Sequence, residues 1–594
     1  MSHPLLKKYA SVLAAAVILM AVAAMPYLLP EDPDSAVFRS GSLGALLLLG
    51  CYLPARTALE RRSLRVLVFS GVFALIFSLC LSLGSELVHY GEFLHARSSM
   101  IRRLAVPMMI TPLFTLLLSN LFAYMPGRLT HKSRIPYPVF FLIFAVCYLA
   151  VLLAYYPGII NYDFPSEYQQ FLTGRYDAKH PVFHTVLIGA LYRLGEMVFG
   201  SLTAGALLYS IVQILLLSAM YAYAMHFIQR RIPFLFTLIL TALTALLPIH
   251  GVIAISTVKD ALFTGLIVLL CVQLWRIVED PKAFISSRGS QLCFMAICLL
   301  LALIRLNGVF AFLPAIAAVL FLCRRHMKRA AAYAALTALI CLLVPRGLEL
   351  AVGAQKSPSS ELMSIPCQQL MRAAEFGDVN EEEYAEINSW FANITYRYRP
   401  HYADTAKGNL DLKRYNNNPG EFWEMYLKYA ARNPRVYTEA FLLNCLGYWY
   451  PDDISHAHSL DSEEWDFVYL KVGNTLNWAL HSIEAQSFLP GLQTLLYNFM
   501  HHATHERYPI LSLLMRPSFY NHLLLLAILY LFCRRGGRYA LALLPLCGVA
   551  VSLFFSAGAF VRYAYPVMTA MPIMLALALY SSGTQPDTKE QGLG

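Results

Sequence analysis

Apolar runs of roughly 15 to 25 residues alternate along the chain with short polar stretches, an alternation that predicts helices crossing a bilayer. The runs fall near 9–29, 42–56, 66–85, 104–125 and 137–156, then near 202–228, 232–249, 260–277, 291–306, 308–323 and 331–351. A large polar segment follows, and three last runs lie near 519–533, 539–558 and 562–580. The expected fold is an all-α polytopic membrane protein with about 14 transmembrane helices, interfacial helices and an extracytoplasmic helical segment. Its parts divide as a four-span extension (1–136), a membrane core with an external Asp loop (137–354), an aromatic-rich segment (355–520), C-terminal spans (521–580) and a disordered cytoplasmic tail (581–594). No internal repeat appears.

Two stretches depart from this alternation. Arg305, Asn307 and Gly308 interrupt the apolar run 291–323, which predicts two short helices meeting at a membrane surface. Segment 182–199 carries Arg193 and Glu196 and is expected to lie along the interface rather than to span.

Composition supports the membrane assignment. Of 594 residues, 58% are hydrophobic and 14% charged, whereas a soluble domain carries about a quarter charged. The net charge of +10 is spread in small clusters between apolar runs, so it reads as topology signal and not as a nucleic-acid surface. With Lys7 and Lys8 inside, the interior loops hold Arg56, Arg61, Arg62 and Arg65, then Arg128, Lys132 and Arg134, then Arg230 and Arg231. Lys282 and Arg288, the cluster Arg324–Arg329, and Arg534, Arg535 and Arg538 complete the set. Both termini are then cytoplasmic. Arg97, Arg102 and Arg103 fall on the wrong side. Lys7 and Lys8 also resemble the start of a signal peptide, but no small-residue cleavage site follows, so the first run is read as an uncleaved span. Twelve cysteines show no metal-ligand spacing; only Cys367 and Cys445, in the polar segment, are offered as a pair if that segment is exported.

The same topology gathers Asp163, Glu167, His180, His184, His250, Lys259, Asp260, Arg305 and Arg562 on the non-cytoplasmic side. Asp163 follows the Tyr155–Gly158 turn that ends a span, where Pro and Gly stop the helix. A carboxylate there can take a proton from an attacking hydroxyl. The alternative, a helix cap, is weakened because Ser166-x-x-Gln169 already has the form of a capping box. His180 and His184, four residues apart, are expected on one helix face, hydrogen-bonding a substrate or a backbone carbonyl; a metal needs a third ligand that the sequence does not offer. Lys259 is suited to a phosphate as a point charge, or snorkels while Asp260 caps its helix. Arg305 and Arg562 share the face with Lys259, and three converging cations would suit an anionic headgroup. The aromatic turn Asn444–Asp453 reads as a sugar-lining or headgroup-level surface.

In their order, Tyr156-Pro157-Gly158, Asn161-Tyr162-Asp163, His180-Pro181, Lys259-Asp260, Arg305-Leu306-Asn307-Gly308 and Arg562-Tyr563 resemble the GT-C class of glycosyltransferases. They look most like an uncharacterised bacterial family of multi-spanning proteins placed near that class, over roughly 137–580. The resemblance implies a GT-C-like catalytic membrane core at 137–354. It implies transfer of a sugar from a polyprenyl-phosphate donor to a cell-envelope glycan or lipid acceptor outside the membrane. Asp163 would be the base, and Lys259, Arg305 and Arg562 would bind the donor phosphate. Asn161, Tyr162, Glu167, His180, His184, Asp260, Asn307 and Tyr563 would contact substrate. Some members use a divalent metal, but no Asp-x-Asp adjoins Asp163, and no metal or other cofactor is expected. One base and a readily departing phosphate suit an inverting single displacement through an oxocarbenium-like transition state. The rival readings are a transporter or flippase of lipid-linked saccharides, for which paired halves are expected and not seen, and a polymerase or ligase that joins them.

Overall fold

The computed structural model describes residues 7–24, 27, 41–93, 97–123, 134–161, 163–356, 362–392, 394, 398–452, 483–500 and 504–583. Tyr162, Arg128, Lys132, Asp453, Trp465, Trp478 and residues 584–594 of the tail lie outside them. The described elements are helices, and the β features among the described residues are isolated bridges. Each apolar run is helical over most of its described part. Among the described residues, eight helices are long and apolar enough to cross a membrane. Ten are reached if two bent pairs each count once: Phe234–Leu246 with Pro248–Ala254, bent by 55°, and Pro509–Met515 with Pro517–Cys533, bent by 81°. Both bends fall where a Pro opens the second member, since its ring and missing donor cannot continue a helix.

Lys259–Glu279 is the most enclosed of the eight. It is apolar on all sides, with Ala261, Leu266, Leu270 and Trp275 all buried, which is the signature of a helix at the centre of a bundle. Around it pack Leu202–Ile228, Arg288–Ile304, Val309–Leu322, Val561–Thr569 and the 3-10 stretch Gly537–Leu543. The run 291–323 does break in two at Arg305, with a single 3-10 turn Leu306–Gly308 between its halves. Gly308 permits that turn, because an added Cβ would stand 2.3 Å from the Leu301 carbonyl oxygen. Val182–Phe199 meets the length and composition of a span while being the least apolar of the eight.

The N-terminal helices join through small residues: Ala10, Ala14 and Ala21 of the Ala10–Ala24 helix meet Ala55 and Ala58 of Gly41–Arg61. Close packing of this kind holds helices together where water provides no driving force. Arg102 and Arg103, the two misplaced cations whose side chains are described, both face Glu86. The Arg103 guanidinium grips both Glu86 oxygens at 2.5 and 3.0 Å, and Arg102 lies at 3.9 Å. One of their two charges is therefore balanced by Glu86.

Residues 362–452 form helices with a core of their own, including Cys367, Met371, Trp390, Phe422 and Tyr429. This roof is tied to the bundle by backbone bridges Asp177–Gln355 and Tyr402–Gly558, and Gln486 beyond it bridges to Tyr156. It is tied to the N-terminal helices by a buried ion pair: Arg372 and Glu439 lie 2.9 Å apart, and they also bind the Gly91 carbonyl and the Phe93 amide. Two expectations change here. Tyr448, Trp449 and Tyr450 are buried, with the Tyr448 hydroxyl bonded to the Gly558 and Phe560 carbonyls, so these rings are core and not a sugar-lining surface. Cys367 and Cys445 are separate buried thiols.

Candidate functional site

The site begins with main chain. After the Tyr137–Ala154 helix, Gly158 adopts φ +133°, and a Cβ there would stand 2.2 Å from the Ser210 hydroxyl and 3.0 Å from the Ile255 carbonyl oxygen. Only glycine suits both the dihedral and the space. The chain can then lie against the turn before Lys259. The Ile159 amide donates to the Ile255 carbonyl at 3.0 Å, the Thr257 amide donates to the Ile159 carbonyl at 2.9 Å, and the Asn161 amide donates to the Thr257 hydroxyl at 2.8 Å. This short parallel pairing brings the start of the Asp163–Thr173 helix beside the start of Lys259–Glu279.

The Asp163–Thr173 helix starts three residues before Ser166, so Ser166 is interior and does not cap it. Asn161 takes that task, its side-chain oxygen accepting the Asp163 amide at 3.0 Å. The Asp163 carboxylate faces the cations. Arg562 lies 3.5 Å from its Oδ2 and Lys259 lies 3.9 Å from the same atom. Arg562 is buried and also donates to the Tyr563 hydroxyl at 3.1 Å.

One turn along the same helix, Glu167 is 1% exposed. His180 Nδ1 is 3.2 Å from one oxygen and His184 Nδ1 is 3.0 Å from the other, with Lys259 at 3.9 Å. Burial alone pushes the carboxyl up, but His184, His180 and Lys259 outweigh it and hold Glu167 well below the usual carboxylate range. The two histidines do not share a helix face. Val182 opens the helix, so His180 precedes it and His184 lies in its first turn; they meet because both reach Glu167. Among the described residues no group of three or more His, Cys, Asp or Glu is arranged to hold a metal ion.

Behind His184 the network continues into residues that sequence reasoning missed. His184 Nε2 is 3.5 Å from the Tyr209 hydroxyl, which donates to Gln213 at 2.9 Å. The Gln213 amide in turn donates to the Ala254 and Ser256 carbonyls at 3.0 and 2.8 Å. A glutamine in mid-helix of the apolar run 202–228 was the available signal. His250 lies apart, bonded to the Tyr565 hydroxyl at 3.0 Å.

Arg305 pairs with Asp260, so Asp260 does not cap its helix. The guanidinium stacks over Phe263 at 5.6 Å and Tyr563 at 5.1 Å, and Arg562 lies over the same Tyr563 ring at 4.9 Å. Arg305, Asn307 and Tyr563 line a cavity of about 170 Å³. Thus Lys259 and Arg562, distant in sequence, flank Asp163, and Arg305 joins them through the Tyr563 ring that it shares with Arg562. Of the expected substrate contacts, Asn307 and Tyr563 line that cavity. Asn161, Glu167, His184 and Asp260 are buried: Glu167 and His184 are bonded to each other, Asp260 is ion-paired with Arg305, and Asn161 is held through its side-chain oxygen while its Nδ2 has no hydrogen-bond partner among the described residues.

The chain belongs to a family of unknown function (DUF6020), whose model matches residues 140–592. The match starts inside the Tyr137–Ala154 helix and leaves the four N-terminal helices outside it. No curated protein and no solved structure matches the chain.

Proposed function

We propose that this DUF6020 protein is an integral membrane glycosyltransferase of GT-C type. It moves a sugar from a polyprenyl-phosphate donor to a cell-envelope glycan or lipid acceptor by inverting single displacement. The observation that carries this reading is the carboxylate of Asp163 between two cations, Arg562 and Lys259, at 3.5 and 3.9 Å, with a third, Arg305, sharing the Tyr563 ring with Arg562. Asp163 takes the acceptor hydroxyl proton while the new C–O bond forms at the anomeric carbon. The bond from that carbon to phosphate breaks on the opposite side, and the departing polyprenyl phosphate keeps the electron pair. Lys259, Arg305 and Arg562 offset the charge that grows on it. An arriving phosphate would also draw Lys259 and Arg562 away from Asp163 and make the carboxylate a better base.

On this reading Asp163 faces the extracytoplasmic side and both termini are cytoplasmic. A total of fourteen spans requires the shorter apolar helices Ala10–Ala24, Arg288–Ile304, Leu306–Leu322 and Gly537–Leu553 to cross, together with Gly41–Arg61 and both bent pairs. It also requires Val182–Phe199 to lie along the interface.

The test is sugar transfer by purified protein supplied with a labelled polyprenyl-phosphate sugar and membrane-extracted acceptors. Asp163→Asn is expected to lower turnover by about 10²- to 10⁴-fold, the usual worth of a positioned base, at unchanged protein yield. Equal turnover would reject the assignment. Movement of labelled lipid between leaflets of proteoliposomes without transfer would favour the flippase reading instead.

A further inference from the structure

The end of the bundle far from Asp163 carries a second, chemically different cavity. Lys259–Glu279 rises about 30 Å, with Lys259 at one terminus and Arg276 and Glu279 at the other. Around that far terminus lies a cavity of about 750 Å³ walled by Arg230, Arg231, Arg276, Arg538 and the single acid Glu279. Arg231 is accounted for: both Glu279 oxygens accept from it at 2.7 and 2.5 Å, and its guanidinium lies 3.5 Å from the centre of the Phe227 ring. The other three have no carboxylate partner among the described residues. Arg276 donates to the Tyr223 hydroxyl at 2.9 Å, Arg230 leans on His226 at 2.7 Å, and Arg538 lies over the Tyr539 ring at 5.2 Å.

A cleft of about 560 Å³ adjoins this cavity, and Tyr223 and Arg276 line both. Away from that shared wall the cleft is lined mainly by Ala219, Met220, Leu269, Cys293 and Ile297, with Gln273, Ser287, Gly289 and Ser290 along one part of it. Arginines gathered only as topology signals need neither a shared open cavity nor a largely apolar cleft adjoining it. A phosphate carried on a hydrocarbon tail would fill both spaces. Guanidinium forks match phosphate oxygens, and basic pockets between spanning helices commonly take lipid headgroups.

We propose that this end of the bundle is a binding site for an anionic phospholipid. Its phosphate would be held by Arg230, Arg276 and Arg538, with one acyl chain along the Met220–Leu269–Ile297 cleft. The site is separate from the one around Asp163 and stands whether or not the transferase reading holds.

The experiment uses the full chain, stripped of lipid in neutral detergent. Native mass spectrometry reads binding of phosphatidylglycerol against phosphatidylcholine, and competition by inorganic phosphate is read in parallel. Phosphatidylglycerol is expected to bind at least about tenfold more tightly than phosphatidylcholine, with the preference lost in an Arg230→Gln/Arg276→Gln/Arg538→Gln variant. Cys293→Trp, at an exposed position, should fill the cleft and weaken phosphatidylglycerol binding about tenfold while leaving that of inorganic phosphate unchanged. Equal binding of the two lipids overturns the proposal. So does full displacement by inorganic phosphate with no effect of Cys293→Trp, which would mark a soluble-anion site. Should the triple variant fail to fold, Arg538→Gln alone and Cys293→Trp decide the matter by the same readings.

Discussion

At the Lys259 end of the central helix each cation has a carboxylate: Lys259 reaches Asp163 and Glu167, Arg562 reaches Asp163, and Arg305 pairs with Asp260. At the Arg276 end four arginines share Glu279, and that acid is taken by Arg231. Burial explains the contrast. Arg305 and Arg562 are enclosed, and an enclosed charge without a counter-charge costs several kcal/mol. Arg230, Arg276 and Arg538 remain exposed and can wait in water for a partner. The lesson is that cation density alone does not mark a reaction centre. A carboxylate held among cations has a proton to gain as well as a charge to balance, whereas cations alone can only bind.

Four changes put this contrast to the test, in descending order of effect. Glu167→Gln strikes the paired end hardest. It takes the buried carboxylate away from the His180 and His184 rings and from Lys259, and should cost about 3–5 kcal/mol, read as a fall in the thermal unfolding midpoint in detergent. Lys259→Gln should fold and yet lower sugar transfer by about 10²- to 10³-fold, the usual effect of removing one donor from a developing anion. An undiminished rate would separate Lys259 from the leaving group.

Acid should undo the roof over the paired end first. Burial pulls His401 down to about 4 from its ordinary 6.5, so the unfolded chain binds the extra proton. Stability is then whole above about pH 6.5 and falls towards pH 4 by roughly 2–3 kcal/mol. Glu167, whose folded value is depressed, adds its own loss only as pH falls below about 4.3. Unfolding midpoints at several pH values, compared with His401→Gln, should show the first slope reduced by that amount and the second unchanged. At the unpaired end, Arg230→Gln and Arg538→Gln should each change stability by less than about 0.5 kcal/mol. A larger loss there would mean that the two ends are not different in kind.

Much of this was legible beforehand, for a physical reason. Ionisable groups beside apolar runs are costly enough to stand out, and Asp163, Lys259, Arg305 and Arg562 were found on that ground. Their partners were not legible. Nothing in residue order says that Asp260 meets Arg305, or that His180 and His184 close on Glu167 from a loop and a helix start. The four-residue spacing of those histidines was misleading because Pro181 separates them from a common helix. The capping-box form of Ser166–Gln169 misled likewise, since tertiary pairing through Asn161 starts the helix earlier. The aromatic turn at 444–453 has a composition that suits a surface or a core equally, and only packing decides between them.

The pairing of Ile159 with the Ile255–Thr257 turn, made possible by Gly158, has a practical meaning. The placing of the Asp163 helix start beside the Lys259 helix start is gauged by main chain rather than by the choice of neighbouring side chains. Asn307, which lines the nearby cavity, can therefore be changed without touching that pairing, whereas Tyr563, which contacts both Arg305 and Arg562, cannot.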